Sequence, residues 1–293
     1  MPKNKSLKRS DVNIKYPIIK YFTKDPVLMI KVSQNAPSIL KYLFDLQNFI
    51  EWYVFKARTK GKIDDIQNYK DIHKGERCFI IGNGPSVNKT DFSLIKNEIN
   101  FGTNRLYESM KKLGINCTYH VTSNRYIVST YYDDLCNIDV PIFLGQHGAE
   151  AYGQKLFEGK KEFKRKPIPF RYKRRLMWQG EEMSTDLAKT GSSDSGTVIT
   201  ECLHIAYYMG FKKVYLLGCD CDFSEQYHFY TDMSNPSASW EDGSIEIPLW
   251  FESYKMCKKA YEADGREIIN ATVGGKLEVF KRQSLEEIMK NDK

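Results

Sequence analysis

From Arg77 onward the chain alternates short apolar runs with longer amphipathic segments. The runs at 77–82, 98–103, 117–122, 140–144, 213–218 and 267–271 have strand length. The segments at 88–97, 105–113, 125–136, 195–210, 249–264 and 284–291 place apolar residues at helical spacing. This alternation predicts an α/β fold: a doubly wound, mostly parallel sheet with helices on both faces. In the first run, Cys78-Phe79-Ile80-Ile81, no polar residue interrupts the apolar ones, as in a strand buried on both faces. Two stretches break the rhythm. Residues 145–193 are mixed in character, and 223–248 hold Ser, Asn, Pro, Gly and Trp240 with little period. Both read either as lids or substrate loops, or as mobile surface.

Before Arg77 the pattern is different. Residues 1–34 are basic and irregular, and Pro17 and Pro26 argue against one long helix. Residues 38–55 place apolar side chains at 39, 40, 43, 46, 50 and 54, following Pro37 at a helix start. This aromatic helix either packs on the following domain or contacts a membrane surface or partner. The polar segment 57–76 marks a boundary. It divides the chain into 1–70, a basic segment with an amphipathic helix, and 71–293, the α/β domain.

Composition narrows the class. The chain has 293 residues, of which 41% are hydrophobic, enough for a packed core. The net charge is +7, and part of the excess lies in the N-terminal 15 residues and in 159–175. Such runs are solvated faces or meet anionic partners. The seven cysteines are odd in number and several sit in apolar runs, which fits reduced thiols rather than a disulfide framework. With neither an apolar signal segment nor an uncharged run of spanning length, the expected location is cytoplasmic, with peripheral contact at the inner membrane as an extension through 38–55.

The candidate chemistry gathers where strands end. Gly82-Asn83-Gly84-Pro85-Ser86 follows the first strand and precedes a predicted helix start, a place suited to a phosphate. It lacks the third glycine of the dinucleotide fingerprint, and no G-x-x-x-x-G-K-[ST] loop is present. Asn104 and Asn124 follow the second and third strands, where a neutral amide suits a base edge or a ribose, or simply caps a helix. Ser195-Gly196 opens a further helix and offers another anion site or an ordinary cap. Asp220 and Asp222 end the strand 213–218. They suit a divalent cation on a diphosphate, or a hydroxyl of ribose or acceptor.

Of the five histidines, His228, six residues after Asp222, is best placed near the strand ends and is the candidate general base, with Tyr227 or Tyr230 against a phosphate. His204 reads as a packed side chain, and His120 and His147 are reserves.

The GNGPS loop, Asn104, the Ser-Gly helix start and GFKKVYLLGCD together resemble two related groups. These are the MptE-like 6-hydroxymethylpterin diphosphokinase domain and the sialyltransferases of glycosyltransferase family 42. The closing INATVGGKLEVFKRQSLEEIM also resembles the end of the MptE-like domain. The resemblance covers roughly 77–125 and 190–285. It implies a Rossmann-like fold in which Gly82, Asn83, Gly84, Ser86, Asn104, Asn124, Ser195 and Gly196 hold a nucleotide, and Asp220 joins them. It further implies an inverting transferase of a nucleotide-activated sugar in bacterial surface-glycan synthesis, CMP-linked in the sialyltransferases. His228 serves as base there, with Asp222 and Tyr230 beside it and no cofactor. The pterin-type alternative requires ATP, with Mg²⁺ on Asp220 and Asp222. A third reading is a non-catalytic nucleotide- or glycan-binding module. The expected partners are a nucleotide sugar and a glycan acceptor, not nucleic acid. A homo-oligomer is compatible with all three readings.

Overall fold

The computed structural model describes residues 46, 49–50, 52–173, 182–193, 196–222 and 246–291. The strands are β1 (Arg77–Ile81), β2 (Asn100–Thr103), β3 (Tyr119–Thr122), β4 (Ile142–Gly145), β5 (Ile168–Phe170), β6 (Tyr172–Lys173), β7 (Ser192–Ser193), β8 (Lys213–Leu217), β9 (Glu267–Asn270) and β10 (Lys281–Arg282). Strands β6 and β7 form a two-stranded ribbon. The others form one sheet in the order β10-β9-β8-β1-β2-β3-β4-β5, with every pair parallel. All six expected strands are present, and the fold is the expected doubly wound α/β architecture. The strand order reverses between β1 and β8, which creates a crevice beyond their carboxyl ends. Ile81 of β1 pairs with Gly102 of β2 and Leu217 of β8, so the loops leaving these three strands begin level with one another.

The uninterrupted apolar run of β1 is explained by its place at the centre. Cys78 and Ile80 face a core shared with the helix Val198–Tyr208 and with Tyr254, Cys257 and Tyr261 of the helix Glu246–Ala263. Phe79 and Ile81 face the opposite core, with Val87, Phe92, Ile95, Leu285 and Ile288. These four apolar side chains of β1 are completely buried. Complete burial of a large apolar side chain contributes roughly 1.5–3 kcal/mol. A third core lies under β4, where Ile142 and Leu144 meet Val128, Tyr152 and Phe55.

The polar segment before β1 lies against this domain. Phe55 and Ile66 are buried, and the Asp64 N–H donates to the Pro167 carbonyl at 2.9 Å. His73 stacks on Phe211, and its Nε2 lies 2.7 Å from the Tyr119 hydroxyl. Among the described residues no helix is long and apolar enough to cross a membrane.

Two expectations need correction. The segment 88–97 is not an α-helix but two short 3₁₀ turns, Pro85–Lys89 and Phe92–Ile95. Thr90 and Asp91 are extended between them, and the Asp91 carboxylate accepts the Ser93 N–H, starting a new turn rather than continuing the first. The stretch 145–193, read as loop, contains a helix of 12 residues, Gln146–Phe157, and β5. Its helical signal is masked by glycines used for close packing. A Cβ at Gly148 would stand 3.1 Å from the Thr122 carbonyl oxygen, and one at Gly153 would stand 3.1 Å from Phe55.

Candidate functional site: the crevice between the first and eighth strands

The loop after β1 and the loop after β8 are clasped together. Ser86 Oγ donates to Asp220 Oδ2 at 2.7 Å, and the Ser86 N–H donates to Oδ1 at 3.3 Å. The contact needs bare backbone on both sides. A Cβ on Gly82 would lie 2.5 Å from the Gly218 carbonyl oxygen, and one on Gly84 would overlap Asp220 Oδ2. The loop after β9 closes over the same aspartate: the Lys276 N–H donates to the Asp220 carbonyl at 2.6 Å. Burial raises the Asp220 carboxyl above its ordinary value, and the Ser86 hydrogen bonds oppose that rise.

This changes the meaning of the GNGPS loop. A helix start open to a phosphate was the expectation. Instead, the carboxylate of the chain's own Asp220 takes the Ser86 donors, and the element that follows is a 3₁₀ turn. Gly82, Gly84, Ser86 and Asp220 therefore build the floor of the crevice.

Asn83 faces the other way. Its Nδ2 donates to Thr103 Oγ1 at 2.7 Å and to the Thr103 carbonyl at 3.2 Å, while Thr103 Oγ1 donates to the Ile81 carbonyl at 2.8 Å. The Thr103 hydroxyl proton is thus used, so it must accept from the amide, and the orientation of the Asn83 carboxamide follows. Its Oδ1 is left buried with no hydrogen-bond partner among the described residues, in a side chain only 7% exposed. A buried acceptor left empty costs about 1–3 kcal/mol.

Asn104 sits beside it at the end of β2, with φ +47°. His120 holds it there: Nε2 lies 2.9 Å from the Asn104 carbonyl, and Thr122 Oγ1 donates to Asn104 Oδ1 at 3.3 Å. Burial pushes the His120 imidazole down to about 4, so it donates as a neutral ring. Asn124, after β3, caps the helix Arg125–Thr130, with its Oδ1 accepting from the Tyr126 and Ile127 N–H groups. Its carbonyl oxygen is therefore used by the fold.

Gly196 lies near the start of the helix Val198–Tyr208, with φ +72°, facing the Trp250 indole. Ser195, His228, Tyr227 and Tyr230 lie outside the described residues. His204 is packed, as expected. Its Nδ1 donates to the Thr200 carbonyl at 2.8 Å, and Nε2 accepts the Ser193 N–H at 3.4 Å. It thereby ties β7 to this helix, and burial pushes its ring down to about 4. Asp222 is partly exposed and pairs with Lys276 Nζ at 2.9 Å. Asp220 is thus engaged by Ser86, and Asp222 by Lys276.

Sequence reasoning missed Glu201. It is buried one turn into the helix Val198–Tyr208, where its carboxylate accepts from the Tyr172 hydroxyl at 2.6 Å and from the hydroxyl of Ser123. The signal was present: one carboxylate in an otherwise apolar helix face. Glu201 joins the end of β3 and the start of β6 to that helix. His147, at the end of β4, has Nδ1 3.7 Å from Glu150 Oε2 and its ring centroid 5.3 Å from that of Tyr172.

The fold, with a crevice at its strand reversal, is that of a doubly wound α/β protein. The family model for 6-hydroxymethylpterin diphosphokinase MptE-like proteins matches residues 54–226, and the chain belongs to that MptE-like family. No curated protein matches it. Among solved structures it is similar to the MAf glycosyltransferase from Magnetospirillum magneticum AMB-1, at 16% identity and a TM-score of 0.45. That match covers 75% of this chain and 37% of that one, so this chain spans little more than a third of its length. It is also similar to the sialyltransferase CstII from Campylobacter jejuni, solved with the substrate analogue cytidine-5'-monophosphate. Here identity is 15% and the TM-score 0.45, over 72% of this chain and 86% of that one.

Proposed function

We propose that the chain is a nucleotide-sugar-dependent glycosyltransferase, inverting at the transferred centre and serving bacterial surface-glycan synthesis from the cytoplasmic side. The observation that carries the nucleotide part is the empty Oδ1 of Asn83 at the strand reversal. A shift of the surrounding loops that uncovers this oxygen lets it accept from a ligand N–H or O–H, such as a ribose hydroxyl or the amino group of cytosine. Asn104 stands next to it at the end of β2, and the Gly196 helix start lies across the same edge of the sheet. The GNGPS, Asn104 and Ser195-Gly196 motifs support a CMP-linked donor through their sequence resemblance to the sialyltransferases.

In this reading the acceptor oxygen attacks the anomeric carbon as its bond to the nucleotide phosphate breaks. His228 takes the acceptor proton. Tyr230 and backbone N–H groups stabilise the departing phosphate. Asp222 assists at the acceptor hydroxyl in this reading.

The second reading is a pyrophosphoryl transfer from ATP with Mg²⁺ on Asp220 and Asp222, which the family name favours. The engagement of the Asp220 carboxylate by the Ser86 donors supports the metal-independent reaction instead. A thermal-shift panel of CMP, CDP, UDP, GDP and ATP, with and without Mg²⁺, tests both. A ligand at 100 times its Kd stabilises by about 2.7 kcal/mol. Stabilisation by a cytidine nucleotide without metal, weakened tenfold or more in Asn83→Ala, is the expected result. A response confined to ATP with Mg²⁺ supports the second reading, and no response from any nucleotide removes both.

A further inference from the structure

The helix before the sheet domain carries two apolar stripes, and only one is used. Helical structure is present at 46, 49–50 and 52–58. Phe55 and, just beyond the helix, Thr59 point inward, with Phe55 against Gly153, and Trp52 packs beside them on the third core. The opposite side presents Leu46, Phe49, Ile50, Tyr53 and Val54, each between 42% and 56% exposed. Their spacing is i, i+3, i+4, i+7 and i+8. At about 100° per residue they form one stripe roughly 140° wide. Phe157, 82% exposed, continues the patch, with the Arg58 guanidinium 5.8 Å above its ring.

Charge indicates what covers this stripe. On the same helical projection, the exposed Lys56 borders one side and the exposed Arg58 the other, and Lys60 follows. The first 62 residues hold 13 Lys and Arg against four Asp and Glu, a net charge of +9. The remaining residues hold 31 against 33, a net charge of −2. The net positive charge of the chain therefore lies in the segment that carries the apolar stripe, since the basic run at 159–175 is offset by acidic residues elsewhere in the domain. A protein partner covering the stripe needs no such asymmetry, whereas an anionic phospholipid surface matches both halves of it: apolar side chains enter the acyl boundary and flanking cations meet the headgroups.

We infer that the helix around residues 46–58 is a peripheral membrane-binding element, lying in the plane of an anionic bilayer with Leu46, Phe49, Ile50, Tyr53 and Val54 inserted and Lys56 and Arg58 at the headgroups. This attachment is independent of the nucleotide site.

Vesicle flotation of the full chain tests it, with phosphatidylcholine vesicles and with phosphatidylcholine–phosphatidylglycerol vesicles. Binding to the anionic vesicles only, falling with added salt, is expected. Each cation near such a surface is worth roughly fivefold in partitioning, so Lys56→Gln with Arg58→Gln weakens it roughly 25-fold. Phe49→Glu with Ile50→Glu abolishes it while leaving the melting temperature and any nucleotide response unchanged. Absence of binding, or equal binding to both vesicle types, overturns the inference. So does a large fall in melting temperature for the glutamate pair, which means that the protein itself covers the stripe. A concentration-dependent dimer that the glutamate pair dissolves, without vesicle binding, assigns the stripe to a second copy and overturns it as well.

Discussion

Ser86 and Asp220, 134 residues apart in the chain, meet through two hydrogen bonds, at 2.7 Å and 3.3 Å, across the reversal of strand order. This clasp fixes the floor of the candidate nucleotide crevice. Removing the hydroxyl leaves a buried carboxylate oxygen without its donor. Ser86→Ala should cost about 1–3 kcal/mol, read as a lower urea midpoint with an unchanged slope.

The close approach at Gly84 has no room for a methyl group. Gly84→Ala drives its Cβ into Asp220 and should destabilise by about 1–3 kcal/mol or more. Because it breaks the same clasp, it should be strongly non-additive with Ser86→Ala in a double-mutant cycle. Additive effects would mean that the two loops are held by something else.

Acid should weaken the fold through its packed histidines. His120 and His204 are held near 4 by burial, while an unfolded histidine titrates near 6.5. Between those values the unfolded chain binds the extra protons, so stability is full above about 6.5 and is lost as pH falls toward 4. The loss is on the order of 3 kcal/mol for each histidine at most. Denaturation at pH 7.5 and pH 5 checks this, and His204→Gln should flatten the dependence.

Asp220 acts in the opposite sense. Its carboxyl is raised by burial, so its ionised form is the disfavoured one in the folded state, and the cost appears as pH rises through the raised value. The stability of the wild type relative to Asp220→Asn should improve as pH falls from neutral into the carboxylate range. A constant difference across that range would place Asp220 in a more open setting.

The buried carboxylate of Glu201 should be worth more than a surface one. Tyr172→Phe removes a hydroxyl that donates to it at 2.6 Å and should cost about 1.5–3 kcal/mol. Glu201→Ala should couple to it in a double-mutant cycle, with no coupling to Lys255→Ala, an exposed lysine paired with Glu252.

The sequence alone determined the strands, since an apolar run such as Cys78–Ile81 has no stable place other than between two layers. It also determined the crevice-lining types, because only glycines and small polar residues allow loops to turn and approach one another at strand ends. His204 was legible as a packed side chain from its apolar neighbours. Other features depended on partners distant in the chain. Nothing local to GNGPS says that β8 pairs beside β1, so nothing local says that the donors of Ser86 are taken by Asp220 rather than left for a phosphate. The orphan oxygen of Asn83 exists only because Thr103 arrives from β2 and fixes the amide. The helix Gln146–Phe157 was hidden because its glycines make sense only against Phe55 and the end of β3. Local pattern sets which residues form strands and turns, while tertiary contact decides which polar groups remain free to bind anything else.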